Sequence, residues 1–289
     1  VVAFPELCVT GYTCGDLFAQ DVLLRDARAA LLKIAEHTRG KDALFFVGVP
    51  LFIDGELYNT AAALNGGRIL GLTTKSFLPN YGEFYEMRHF CPGPKKAREI
   101  LFEGGKIPFG PQILFAASSM EALVVSAEIC EDVWSPVPPS IEAAREGATL
   151  IVNCSASDET IGKDSYRRSL IGGQSARLIC GYIYANAGEG ESTTDLVFAG
   201  HNLIAENGTI LKASRRFVNG AIYSEIDLMR LLSERRKNTT FKAAAEPALC
   251  RVPFDIQIED TKLTRDISSR PFVPDGEKER AGRCEEILT

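Results

Sequence analysis

Short, continuously apolar runs alternate along this chain with stretches whose apolar residues recur every three or four positions. Asp21 to Thr38 carries Val22, Leu23, Ala27, Ala30, Leu31 and Ile34 at that second spacing, which predicts an amphipathic helix. Leu44-Phe-Phe-Val-Gly-Val49 reads as a buried strand that Pro50 should end. Leu57 to Leu64, the turn Asn65-Gly-Gly67 and Arg68 to Thr74 predict a hairpin. Further strands are expected at Gln112 to Phe115, Leu123 to Cys130, Thr149 to Val152 and Tyr182 to Ala185. Ser140 is placed to cap a helix running to Glu146, and Tyr166 to Cys180 predicts another helix. A second hairpin is expected over Leu203 to Leu211, around Asn207-Gly208. Helices alternating with short apolar strands, interrupted by two hairpins, predict a layered α/β protein with a mixed sheet. From about Glu234 the text turns charged and irregular, so residues 1–240 read as one domain and 241–289 as a tail or linker.

The bulk properties narrow the partners. With 289 residues, 45% hydrophobic and 24% charged, the composition is that of a globular protein. A formal net charge of -6 argues against nucleic acid, whose phosphates call for a basic face. No apolar run is long enough for a membrane span and no signal peptide is visible, so a cytoplasmic protein without a membrane partner is expected. The eight cysteines form no C-x2-C pair, so no metal site is expected and they read as reduced thiols. The ends read differently. No initiator Met is present, Val1-Val-Ala-Phe-Pro5 resembles the end of a strand, and Cys284 to Thr289 stops within a helical pattern. A fragment of a longer protein is expected.

Three polar residues sit where strands give way to loops: Glu6 after Phe4-Pro5, Lys75 after Ile69 to Thr74, and Cys130 after Leu123 to Ile129. Strand ends of an α/β sheet converge on one crevice. A carboxylate, an ammonium and a thiol meeting there make a nucleophilic site, in which Glu6 takes the thiol proton, Cys130 attacks a carbonyl and Lys75 stabilises the oxyanion. Each residue also has an ordinary reading: Cys130 as a small core hydrophobe, Glu6 as a turn residue, Lys75 as a surface charge. A Cys–His dyad is the rival arrangement, with His89 or His201 as base and His37 at an exposed helix end. Ile171-Gly-Gly-Gln-Ser175 only faintly matches a phosphate loop and reads instead as a helix packed closely on a neighbour.

Three blocks in order carry a resemblance: Phe4-Pro-Glu-Leu-Cys-Val-Thr-Gly-Tyr12, Lys75-Ser-Phe-Leu-Pro-Asn-Tyr-Gly-Glu-Phe-Tyr-Glu86 and Glu128-Ile-Cys-Glu-Asp132. Together they resemble the nitrilase superfamily, and more closely the glutaminase domains of glutamine-dependent NAD+ synthetases. Ala187-Gly-Glu-Gly-Glu-Ser-Thr-Thr-Asp195 and the tail from Arg270-Pro-Phe-Val-Pro274 to Arg283-Cys-Glu-Glu-Ile287 are similar to that family as well. The resemblance implies a four-layer α-β-β-α sandwich whose first strand and helix would precede Val1. It implies a Glu6–Lys75–Cys130 triad, a second glutamate bracing the lysine at Glu83, and the backbone N–H of Glu131 beside Lys75 at the oxyanion. Glutamine-binding positions would fall on Tyr12, Tyr81, Glu131, Trp134, Ser157 and Lys163; from its loop after the strand bearing Cys154, Lys163 is expected to hold the α-carboxylate with Ser157, and Glu131 to help hold the α-ammonium. Cys154 is assigned to packing. The implied partners are L-glutamine, a C-terminal NAD+ synthetase domain beyond Thr289 and further copies in a homo-oligomer. The implied cofactors, ATP and Mg2+, serve that synthetase domain and none serves these residues. A free-standing amidase or carbamoylase acting on another small amide is the alternative.

Overall fold

Three hairpins and a short leading strand build the first of two sheets. A computed structural model describes the chain from residue 1 to 288, apart from 246–247, 258–260, 266, 268, 271 and 275. Pro271 of the tail motif and Thr289 therefore lie outside the described residues. β1 (Val2–Ala3) leads through α1 (Asp21–His37) to β2 (Phe45–Ile53), β3 (Glu56–Asn65), β4 (Arg68–Thr74), β5 (Arg98–Phe102) and β6 (Gly105–Gly110). The strand order is β1-β2-β3-β4-β6-β5. Asp54-Gly55, Gly66-Gly67 and Glu103-Gly104 turn the three hairpins with positive φ at both central positions (51° and 89°, 58° and 85°, 50° and 78°). That backbone matches the right-handed twist of the flanking strands.

Pro50 does not end β2, which continues to Ile53 opposite β3. Only Phe45 and Phe46 pair with β1. On that side the Gly48 carbonyl accepts from Val9 N–H (3.1 Å). Pro50 lies two residues on and faces the same side, so its missing donor costs the ladder no bond.

The second sheet contains β7 (Leu114–Ala117), β8 (Val124–Ile129), β9 (Leu150–Ser155), β10 (Gly181–Asn186), β11 (Leu203–Glu206), β12 (Thr209–Ala213) and β13 (Arg251–Phe254). Its order is β12-β11-β10-β9-β8-β7-β13, with β8, β9 and β10 parallel. α2 (Pro139–Arg145) and α3 (Lys163–Leu178) link the parallel strands, and α4 (Leu228–Lys237) and α5 (Glu277–Leu288) follow. The helix expected from Tyr166 begins earlier, at Lys163. Ser140 is not a cap: its N–H donates to Glu128 (2.9 Å) and its hydroxyl accepts from Gln174 (3.0 Å), while Pro138 occupies the cap position. The Ile171 to Ser175 run lies inside α3, where Gly172 lets the helix approach the Gly208 carbonyl. The boundary expected at residue 240 does not mark the end of the sheet. β13 pairs with β7 and buries Phe254 in the main core.

Alternation along each strand divides the apolar residues between two faces. Phe46, Ala61 and Ala63 point from the first sheet towards Phe115, Val125, Ala127, Ile129 and Val152 of the second. Val47, Val49, Ala62 and Leu64 point the other way, onto Ala27, Leu31 and Ala35 of α1. On the far side, Ile151, Tyr182 and Tyr184 meet Ala143 and Ala144 of α2 and Ile171 and Leu178 of α3. The apolar layers thus lie between helix and sheet, sheet and sheet, and sheet and helix. Cys154, on β9, is fully buried in the middle layer, where packing accounts for it.

Candidate active site

Glu6 leaves β1 on a loop that presses against β2. A Cβ on Gly48 would lie 2.3 Å from the Leu7 nitrogen and 2.4 Å from the Pro5 oxygen, so only glycine allows that approach. Lys75 is the first residue after β4. Cys130 is the first after β8 and opens a 3-10 turn, Cys130–Trp134, with φ at +43°. Positive φ in a non-glycine residue costs on the order of 1–3 kcal/mol and persists where the surroundings enforce it. Here Asn153 holds both sides of the residue: its Oδ1 accepts from Cys130 N–H (3.1 Å) and its Nδ2 donates to the Cys130 carbonyl (3.4 Å). Next along the turn, the Glu131 N–H is one of the donors a helix start leaves unpaired.

All three side chains are buried. Lys75 Nζ donates to Glu6 Oε1 (2.7 Å) and to Glu86 Oε1 (2.5 Å). Glu6 also accepts from Asn59 Nδ2 (2.6 Å) and Ala156 N–H (2.9 Å), which fix its carboxylate while leaving lone pairs for a proton. Burial opposes the Lys75 ammonium, but Glu6 and Glu86 outweigh it and hold its pKa well above the usual value. Burial, then the Glu6 carboxylate, push the Cys130 thiol well up, against the pull of Lys75. The thiol therefore rests protonated at neutral pH. To act as a nucleophile it would have to pass its proton to a base, and Glu6 is the carboxylate that bears on it most strongly. Glu86 is pushed up to about 7, chiefly by burial.

The brace on the lysine is Glu86, not Glu83. The Glu86 N–H bonds the Pro79 carbonyl (3.2 Å) and Phe84 N–H bonds Tyr81 (3.0 Å), folding the segment so that Glu86 turns inward. Glu83 instead lines the open crevice above Cys130. Glu86→Gln should lower turnover at least tenfold, because Lys75 loses a charge-assisted partner worth about 1.5–3 kcal/mol. Glu83→Gln should leave turnover at saturating substrate within about threefold, and kcat values of the two variants compare them directly.

That crevice has a volume of about 440 Å3 and is lined by Glu83, Phe84, Cys130, Glu131, Trp134, Ser157, Asp158 and Lys163, among others. Of the expected binding residues, Tyr81, Glu131, Trp134, Ser157 and Lys163 meet there. Tyr81 donates from its hydroxyl to Glu131 (2.8 Å). Tyr12 does not line it. The Tyr12 hydroxyl donates to Glu86 (2.8 Å) and its ring packs on Phe198, so it supports the lysine's brace from behind. Its N–H and both donors of Thr13 are held by Glu191, of the Ala187 to Asp195 motif, at 2.7–3.0 Å.

Lys163 opens α3, forms an ion pair with the buried Asp158 and lies 5.6 Å from the centre of the Trp134 ring. Beneath this loop the fully buried Arg167 donates to Glu159 and to the Asp158 carbonyl (3.0 Å each), with His201 Nδ1 at 3.0 Å from its Nη1. His201 is thus engaged away from the thiol and is held down to about 4 by burial and then by Arg167. Neither His89 nor His201 lines the crevice, so the dyad is not formed.

Sequence reasoning passed over Asn59, Glu86, Asp132, Asn153 and Asp158. Two of them carried a signal: Asp132, as the second acid after the cysteine, and Glu86, as the last residue of the block that begins at Lys75.

A family model described as carbon-nitrogen hydrolase matches residues 1–236. The glutamine-dependent NAD(+) synthetase of Mycobacterium leprae is 41% identical over 285 residues, covering 95% of this chain and 42% of that protein. The chain thus spans about two fifths of the length of such curated relatives. A crystal structure of a glutamine-dependent NAD(+) synthetase from Cytophaga hutchinsonii superposes with a TM-score of 0.66 at 33% identity, over 74% of this chain and 34% of that one. An amidase from Nesterenkonia sp. shares the fold at a TM-score of 0.55 and 23% identity, over 74% of this chain and 73% of that one.

Proposed function

The chain belongs to the carbon-nitrogen hydrolase family, and on that premise we propose that it is a glutamine amidohydrolase unit that supplies ammonia for NAD+ synthesis. Cys130 attacks the side-chain amide carbon of glutamine while Glu6 accepts the thiol proton. Lys75 and the Glu131 N–H hold the oxyanion, Glu6 returns the proton to the departing nitrogen, and ammonia leaves a thioester on Cys130. Glu6 then takes a proton from water, which hydrolyses the thioester to glutamate. No step needs a cofactor on these residues. The ATP- and Mg2+-dependent ligase step belongs, in this scheme, to a synthetase unit like the one the NAD(+) synthetase relatives are named for. Cytoplasmic placement and homo-oligomeric assembly are part of the same proposal and rest on the family resemblance.

The observation that carries the choice of substrate is the charge around the crevice. Glu83, Glu131, Asp158 and Lys163 line one wall system with the thiol. Such a set suits the α-ammonium and α-carboxylate of an amino acid and is costly to leave unmatched around a neutral amide. Lys163, though paired with Asp158, has two further N–H donors for the α-carboxylate, and Ser157 lies beside it.

The test is covalent trapping. A chloroketone analogue of glutamine should add to Cys130, read as a mass shift on that peptide, and Lys163→Ala should slow the addition about tenfold to a hundredfold, the loss of one charge-assisted hydrogen bond. Chloroacetamide, which lacks the amino-acid head, should be slowed little. Equal slowing with both reagents removes the amino-acid assignment, and no adduct with either removes Cys130 as nucleophile.

A further inference from the structure

Asp132 is a fully buried acid that forms no ion pair among the described residues. Among the described residues its oxygens accept only backbone donors. Oδ1 accepts from Ser76 N–H (3.0 Å) and Phe77 N–H (2.9 Å), and Oδ2 from Ile129 N–H (2.9 Å). The first two donors directly follow Lys75, and the third directly precedes Cys130. These two segments come from different sheets, after β4 and after β8, and meet at Asp132, two residues beyond Cys130, which lines the crevice. One side chain thus spans the lysine end of the first sheet and the nucleophile turn of the second.

The chemistry of that position is unusual for a structural aspartate. Burial first, and also the Glu128 carboxylate, push Asp132 up to about 8 against the Ile129 and Phe77 N–H groups and Lys75, so a charge on it is costly. An ordinary helix-start acid would satisfy donors of its own turn. Asp132 does so only in part, since two of its three donors lie more than fifty residues earlier in the chain. Its own turn holds the positive φ of Cys130, flanked by the Ile129 N–H bond to Asp132 and the Cys130 N–H bond to Asn153.

We infer that Asp132 is a positioning residue, a clasp that sets the Lys75 ammonium and the strained Cys130 thiol at one fixed separation across the two sheets. The inference rests on Cys130 being the nucleophile. Asp132→Asn separates the two halves of the clasp. The amide oxygen can still accept from Ser76 and Phe77, but the NH2 group then faces the Ile129 N–H, donor against donor. The lysine side is retained and the elbow side released.

The experiment measures glutamine hydrolysis by the longest natural form of the protein, alongside the second-order rate of Cys130 alkylation by chloroacetamide across pH, with folded fraction read by circular dichroism. Asp132→Asn should lower kcat about tenfold and Asp132→Ala about a hundredfold, the scale of a displacement near 1 Å, with KM within about twofold. Alkylation of Cys130 should fall in the same order. Should Asp132→Asn not fold, Asp132→Glu carries the same test, since it keeps the carboxylate but displaces it. Alkylation and kcat that match the unmodified protein, per folded molecule, overturn the clasp. A rise in KM at unchanged kcat overturns it too, because a purely structural loosening of the crevice would act on binding. If Cys130 of the unmodified protein resists alkylation while other thiols react, the nucleophile assignment fails instead, and the two failures stay distinct.

Discussion

Cys130→Ala is expected to reduce ammonia release from glutamine by roughly six decades, to the rate set by binding and the oxyanion donors alone, because loss of the nucleophile removes the whole covalent route. Cys154→Ala should keep full activity and lose on the order of 1 kcal/mol of packing, since Cys154 lies wholly within the core between the sheets. The same position offers a second readout. Cys130 sits at φ +43°, a conformation glycine adopts without strain. Cys130→Gly should therefore be as inactive as Cys130→Ala yet more stable than it by about 1 kcal/mol, measured by chemical denaturation. Equal stability of the two variants would show that the turn imposes no strain on its first residue. Detectable glutamine turnover in either variant would move the nucleophile elsewhere.

The parts of this molecule that were legible in the sequence are those set by local chemistry. Asn65-Gly-Gly67 and Asn207-Gly208 marked their hairpins because few other residues accept paired positive φ, and both turns are observed. The helix from Asp21 was fixed by spacing alone. Glu6, Lys75 and Cys130 could be grouped because all three follow strands, and the Glu6 carboxylate and Lys75 ammonium meet at 2.7 Å. What local reasoning could not reach depends on the chain meeting itself. Glu83 and Glu86 are equivalent by type, and only the fold of the segment after Lys75 turns the second one inward. Tyr12 was grouped with the substrate, but its hydroxyl reaches Glu86 because Glu191, far along the chain, anchors its loop. β13 was hidden in charged text, since a four-residue edge strand needs only one buried anchor, and Phe254 supplies it. Pro50 misled because a proline breaks a ladder only on the side where a partner waits.

The second large effect falls on Lys75. Lys75→Met should give a protein that binds glutamine but turns it over at least a hundredfold more slowly, the usual consequence of losing one oxyanion donor, about 2.7–4 kcal/mol. Lys75→Arg should fare little better, because the guanidinium fork is larger than the space between Glu6 and Glu86, which bond the ammonium at 2.7 and 2.5 Å. Stability should carry the same signature. Removing the cation leaves two buried carboxylates facing each other, and breaking a buried ion pair in this way costs about 3–5 kcal/mol. That loss should depend on pH with a definite sign. Glu86 already lies at about 7 with Lys75 present, and without it the folded-state value rises further. A carboxyl group raised in the folded state favours folding while it is protonated, so its contribution is retained at low pH. It is lost as pH climbs from the unfolded value near 4.3 through the folded one. Lys75→Met should therefore lie closest to the unmodified protein near pH 5 and fall away from it towards pH 8, in urea midpoints taken across that range. A gap that is constant with pH, or widest at pH 5, would mean that Glu6 and Glu86 do not depend on Lys75 for their burial. The lysine would then act on the oxyanion alone.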